Sequence, residues 1–170
     1  MEKPDVFHSF AATSFCGISC AQFWADFILW EALLNTHTQL RAIVELGTWQ
    51  GGFSLYLAAQ ARGRGLEFRT YDATPPDRPI PGFVRLDIFA EAEQLGRWLK
   101  QAGPIALFCD NGNKPRELKT FPPYLAPGSI IVVHDWGTET LPADIPDTLI
   151  EIHGDYCDQL GSISRVFELA

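Results

Sequence analysis

Five short apolar runs recur along the chain, four of them closed by an acid, with helix-forming stretches between them. They are RAIVELG from Arg41, LEFRTYD from Leu66, FVRLD from Phe83, PIALFCD from Pro104 and SIIVVHD from Ser129. Runs this short, bounded by turn residues and rich in β-branched side chains, read as buried strands. GGFSLYLAAQARGRG reads as a helix stopped by glycines, IFAEAEQLGRWLKQAG as an amphipathic helix, and KPRELKTFPPYLAPG as a short helix and loop. Strands alternating with helices imply parallel βαβ units wound on both faces of one sheet. Two more candidate strands, TLIEIHGD and SISRVFELA, are joined too closely for a parallel crossover and should pair antiparallel. The expectation is an α/β fold: a doubly wound, mostly parallel, seven-stranded sheet ending in an antiparallel hairpin.

At 170 residues the chain is one domain of common size, and 46% hydrophobic residues suit a globular core. A net charge of −8 argues against a nucleic-acid surface and against binding to anionic membranes. MEKPDVFHSF lacks the form of a signal peptide, and CAQFWADFILWEALL, interrupted by Asp26 and Glu31, is too short to span a bilayer. Cys16, Cys20, Cys109 and Cys157 form no zinc pattern. The reading is a soluble, cytoplasmic protein. A helix is expected from Cys20 to Asn35, with Phe23, Phe27, Trp30, Leu33 and Leu34 on its buried stripe. This divides the chain into an N-terminal helical segment, 1–40, that covers the acceptor site, and a ligand-binding domain, 41–170.

The first apolar run ends in Glu45-Leu46-Gly47, followed by Thr48-Trp49-Gln50-Gly51-Gly52 and a helix. In an open α/β sheet, ligands bind outside the carboxyl ends of the strands, near the reversal of strand order. Gly47 permits a sharp exit, and Gly51 and Gly52 bare the backbone where a ligand would approach the helix start. Asp72 closes the second run about 25 residues on, where a carboxylate can accept from both ribose hydroxyls. Thr48 and Trp49 replace the second glycine of a dinucleotide turn, so the loop suits a nucleoside without a pyrophosphate better than NAD.

The motif ExGxxxGG, the acid closing the second strand, and then LFCD and IIVVHD resemble a class I S-adenosylmethionine-dependent methyltransferase of Rossmann-like fold. Within that fold, residues 41 to 136 are most similar to the branch holding catechol, macrocin and rhamnosyl O-methyltransferases and the cephalosporin hydroxylase-like proteins. The resemblance implies that Glu45, Gly47 and Gly51, with Ser54 one place late, surround the methionine part of S-adenosyl-L-methionine. Thr48 and Trp49 belong to the same loop. It places Asp72 at the ribose and Asp87 near the adenine, and puts Asp110 at the edge of the cofactor site. The bland alternatives are solvated strand-end acids, and for Asp87 a helix cap.

Metal-dependent members of that branch hold a divalent cation between acids after the fourth and fifth strands. The resemblance therefore implies Mg²⁺ or Mn²⁺ at Asp110 and Asp135, with His134 as third ligand. Adjacent strand residues point to opposite faces, so His134 and Asp135 can both ligate only if the strand has already ended. Otherwise Asp135 caps the next segment and His134 is a packed core residue. Trp136 stands where the catechol enzymes have Asn. Lys114 resembles their general-base lysine, one residue further from Asp110, and its bland reading is a surface lysine at a helix start. A lysine acts as a base only when its pKa is depressed, which acidic neighbours oppose.

The function implied is O-methylation of a small molecule carrying a sugar or phenol hydroxyl, metal-assisted or not, with Asp110, Lys114, His134 and Asp135 as the catalytic set. The alternative is a non-catalytic or partner-dependent S-adenosylmethionine-binding module; an NAD-linked oxidoreductase is disfavoured by the glycine spacing. A homodimer is compatible with the sequence. Trp24, Phe27, Trp30, Trp49 and Trp136 are candidates to frame an acceptor ring, and His8, His37 and Trp24 to roof the pocket.

Overall fold

The computed structural model describes His8 and residues 13–170. The remainder of the expected N-terminal cover lies outside the described residues. A small antiparallel hairpin, β1 (Ser14–Phe15) and β2 (Ile18–Ser19), leads into α1 (Trp24–Thr36). Then follow β3 (Ala42–Leu46), α2 (Gly52–Arg64), β4 (Glu67–Asp72), β5 (Phe83–Arg85), α3 (Ala92–Ala102), β6 (Ile105–Cys109), α4 (Lys114–Thr120) and β7 (Ile130–Val133). The chain closes with β8 (Leu149–Ile152), α5 (Gly154–Leu160) and β9 (Arg165–Leu169).

These strands form one seven-stranded sheet in the order β5-β4-β3-β6-β7-β9-β8. The first five pair in parallel, while β9 runs antiparallel to both β7 and β8. The expected architecture is present. The terminal pair is looser than a tight hairpin, because α5 fills the connection. Strand order reverses between β3 and β6, so the crevice belongs at their carboxyl ends. Among the described residues, no helix is long and apolar enough to cross a membrane.

Period-two alternation assigns each central strand to two cores. Ile43, Ala106, Phe108, Ile130 and Val132 face α1 and α2, whereas Val44, Leu46, Leu107, Ile131 and Val133 face the opposite layer. This parity positions the chemistry: Glu45 continues the row of Ile43, and Asp110 the row of Ala106 and Phe108, so both emerge on the α1 side. On that side Phe27, Trp30, Phe53, Tyr56 and Phe108 interlock with ring centroids 4.6 to 6.4 Å apart. The α1 aromatics Phe27 and Trp30 are therefore core, with Phe15 and Trp24 packed against them.

Two element starts differ from expectation. Helix α1 begins at Trp24, not Cys20, because the Asp26 carboxylate reaches back to accept the Phe23 N–H at 2.9 Å. Helix α3 begins at Ala92, not Ile88, because Asp87 holds the Phe89 and Ala90 N–H groups in a turn first.

Candidate active site

A cavity of about 400 Å³ opens at the carboxyl ends of β3, β6 and β7. Its lining includes Glu45, Gly47, Thr48, Trp49, Asp110, Lys114, His134 and Asp135, together with Cys20, Ala21, Gln22 and Glu139. Most residues singled out from the sequence thus share one space. Asp72 and Asp87 do not line it, nor do Gly51 and Ser54.

Backbone packing sets the floor. Gly47 has φ +101°, and a Cβ there would come within 2.3 Å of the Asp110 carbonyl oxygen. The loop after β3 and the loop after β6 can cross only because residue 47 has no side chain. Gly52 serves a different partner than expected: a Cβ there would meet the Ile18 and Ser19 carbonyl oxygens at 2.4 Å. Its bareness admits the chain's own β2 rather than a ligand, and Gly51 likewise faces Ile80.

Glu45 is 2% exposed and lies at the inner wall of this cavity. Ser54 donates its hydroxyl to the Glu45 carboxylate. Burial pushes the Glu45 pKa up to about 8, with Asp110 and Asp72 adding to the rise against the Ser54 and Thr70 hydrogen bonds. Asp72 holds the loop in shape, accepting the N–H of Thr48 at 3.2 Å, of Trp49 at 3.1 Å and of Thr74 at 2.9 Å. It thereby braces Trp49, which has φ 48° and stands 52% exposed at the cavity mouth. A carboxylate offers about four acceptor sites, so one remains for a ligand hydroxyl. Asp87 is exposed, and its carboxyl pKa is held below the usual range by the Ala90 and Phe89 N–H groups. It holds the turn ahead of α3, whose own N-cap position is Glu91.

The second half of the cavity is ionic. β7 ends at Val133, and Asp135 has φ 56°, a left-handed conformation that Asp tolerates. That turn brings its carboxylate to the side of His134: Asp135 Oδ2 is 3.3 Å, and Asp110 Oδ1 3.2 Å, from His134 Nδ1. The condition that the strand must have ended is met. Asp135 binds the next turn through its backbone carbonyl, which accepts from Glu139 N at 3.0 Å, not through its side chain.

Lys114 is the first residue of α4, as the bland reading required, but it is only 2% exposed and no surface lysine. Its Nζ lies 2.7 Å from Asp135 Oδ2, 2.8 Å from Glu139 Oε2 and 3.2 Å from Asp110 Oδ1. Burial works against the ammonium, but Asp110, Asp135 and Glu139 outweigh it and raise the Lys114 pKa. That opposes a general-base role. For His134, burial is likewise outweighed by Asp110, Asp135 and Asp26, and its pKa rises to about 10. The Asp135 carboxyl is held well below its ordinary range; burial opposes this, and His134 and Lys114 prevail.

The sequence reading missed three neighbours. Gln22 donates to Asp110 Oδ2 at 2.7 Å, and its own Oε1 is buried without a partner. Asp26, fully buried in α1, accepts from Ser162 at 2.6 Å and Ser164 at 2.9 Å and lies 4.0 Å from His134 Nε2. An acid inside the apolar stretch before β3 was the available signal for Asp26; nothing local marked Gln22 or Glu139. Of the expected roof, Trp24 packs on Phe27 at 4.8 Å, and His8 reaches the Leu160 carbonyl at 3.2 Å. His37, at the far end of α1, pairs with His153 at 3.1 Å. None of the three lines the cavity; Cys20, Ala21 and Gln22 do. Of the candidate ring-framing aromatics, Trp49 alone is there, while Trp136 packs against Phe167.

Donor atoms of Asp110, His134 and Asp135 lie within 4.8 Å of one another, a spacing that suits a metal ion. The same carboxylate oxygens face Lys114 Nζ, and Asp110 Oδ2 is taken by Gln22. A metal here requires the ammonium to leave and His134 to give up its proton.

No protein-family model matches the chain, and no curated protein matches it. Solved structures do. A structure named cmcI-D160 Mg-SAM superposes with TM-score 0.69 at 14% identity, covering 100% of this chain and 82% of that one. A second, cmcI-N160 SAH, gives 0.67 at 16% identity over 99% and 87%. An S-adenosyl-L-methionine methyl transferase from Silicibacter pomeroyi DSS-3 gives 0.50 at 17% identity over 86% and 91%. At such identities the likeness establishes the fold: the Rossmann-like α/β sheet of S-adenosylmethionine-dependent methyltransferases, with its antiparallel end.

Proposed function

We propose that the chain is an S-adenosylmethionine-dependent methyltransferase acting on a hydroxyl of a small molecule. One observation carries the reading: Glu45, a buried carboxyl with a raised pKa whose hydrogen-bond partners among the described residues are hydroxyls, shares a cavity with the Asp110–Lys114–His134–Asp135 cluster. The α-ammonium of an amino-acid moiety would supply that carboxyl with a counter-charge. Two of the similar structures carry S-adenosylmethionine or its product in their names, which supports the same ligand class. On this reading the loop of Gly47, Thr48 and Trp49 holds the cofactor, with Asp72 offering its remaining acceptor site to the ribose. Residues 20–22, from the N-terminal segment, wall the acceptor side.

The step balances without a redox partner. The acceptor O–H loses its proton to water in the open cavity as an oxygen lone pair forms the O–CH₃ bond and the C–S pair returns to sulfur. The products are a methyl ether, S-adenosylhomocysteine and one proton in water. Asp135, whose carboxyl is held well below its ordinary range, orients the hydroxyl as a hydrogen-bond acceptor and does not take its proton. In-line orientation supplies most of the acceleration. Calorimetry with S-adenosylhomocysteine and with NAD tests the reading: binding of the first and not the second is expected, and the reverse removes it.

A further inference from the structure

Two acids after neighbouring strands, with a nitrogen donor beside them, ordinarily ask for an external cation. In this chain a cation is already there. Lys114 Nζ reaches Asp110 Oδ1, Asp135 Oδ2 and Glu139 Oε2 within 3.2 Å. An ammonium has three N–H donors, and three carboxylates receive them. The placement is built into the fold, not the product of a flexible side chain finding a partner. Asn113 caps α4 by accepting the Arg116 N–H, and Pro115 follows Lys114, so the Lys114 Cα is fixed at the helix start. The stem is buried, which removes most alternative rotamers. His134 Nδ1 lies against the same two oxygens, 3.2 Å from Asp110 Oδ1 and 3.3 Å from Asp135 Oδ2, so nitrogens of the chain already surround the seat.

We propose that Lys114 is a resident cation: its ammonium holds the seat between Asp110 and Asp135, and the site functions without a divalent metal. Metal-free function rests on the methyltransferase reading; the occupancy of the seat by Lys114 does not. Because its three donors are engaged, Lys114 is a positioning residue and not a base. It keeps Asp110 and Asp135 together, where like charges would otherwise separate them, and keeps their field toward the cavity near neutral. Glu139, with its side chain 54% exposed, is the most solvated of the three partners. It is therefore the one an acceptor oxygen can displace.

The test is Mn²⁺ binding to the EDTA-treated full chain, followed by the paramagnetic resonance of free Mn²⁺, in wild type and in Lys114→Met, Lys114→Arg and Asp110→Asn. Wild type and Lys114→Arg are expected not to bind Mn²⁺ at this site. Lys114→Met, which keeps length and removes charge, should bind more than about tenfold tighter, because two close carboxylates then lack a counter-charge. Mn²⁺ binding by wild type that disappears in Asp110→Asn overturns the proposal, as does equal affinity in wild type and Lys114→Met. If Lys114→Met does not fold, the wild-type result decides alone: binding lost in Asp110→Asn refutes, and no binding there supports. S-adenosylhomocysteine calorimetry on the same samples separates the two claims. Its failure removes the methyltransferase reading while the Mn²⁺ result still judges Lys114.

Discussion

The cavity has two acidic walls that face opposite electrostatic situations. At the end of β3, Glu45 is desolvated, has neutral hydroxyl partners among the described residues, and is pushed toward its protonated form. At the ends of β6 and β7, Asp110 and Asp135 are matched by Lys114 and His134, and Asp135 is held ionised. Both walls come from the same sequence device, an acid at the end of a buried strand. What separates them is whether the chain supplies a cation. The difference teaches that a strand-end acid reports a charge requirement and not a ligand: on the proposed reading one wall draws its counter-charge from outside, while the other carries its own.

The comparison is broken most severely at Glu45. Glu45→Gln keeps a partner for Ser54 but removes the charge that a ligand ammonium requires. S-adenosylhomocysteine affinity should fall by about 2–5 kcal/mol, the cost of truncating one member of a buried charge pair. The ionic wall, read by Mn²⁺ exclusion, should be unchanged. Calorimetry showing equal affinity in a folded variant would place the ligand elsewhere.

A smaller effect is expected at Asp72, which contacts the cofactor wall from outside the cavity. Asp72→Ala removes an acceptor for ribose and also frees the N–H groups of Thr48 and Trp49. A loss of about 1.5–3 kcal/mol in S-adenosylhomocysteine binding follows from hydrogen bonds to a charged group. Trp49 fluorescence should report loosening of the loop even without ligand. Unchanged affinity together with a loosened loop would reduce Asp72 to a brace.

Much of the fold was legible because period-two apolar runs and glycine-stopped helices are local signals. The seven strands and the antiparallel end follow from RAIVELG, LEFRTYD, FVRLD, PIALFCD, SIIVVHD and the two terminal runs alone. The cavity was legible for the same reason, since Glu45, Asp110, His134 and Asp135 end central strands. What was not legible depends on long-range approach. Gly52 reads as ligand clearance, yet it answers to Ile18 and Ser19. Lys114 reads as a surface residue at a helix start, yet Asp110, Asp135 and Glu139 meet its ammonium and it is buried. Gln22 and Asp26 are separated from their partners by 88 and by 136 residues respectively. His37 reads as part of the roof, yet it closes the C-terminal end of α1 beside His153 and does not line the cavity.

The central claim, that the first wall waits for a cation and the second does not, can be read as a proton count. Glu45 has its pKa raised from 4.5 to about 8, so in the free protein it carries a proton between those values. An ammonium docking beside it favours the carboxylate, lowers that pKa and expels the proton. Titrating S-adenosylhomocysteine near pH 6.5 in buffers of different ionisation enthalpy should show release of about one proton per site. The release should fade as pH rises through about 8 and be absent in Glu45→Gln. Binding without proton release in the wild-type protein, or release that survives in Glu45→Gln, would contradict the account.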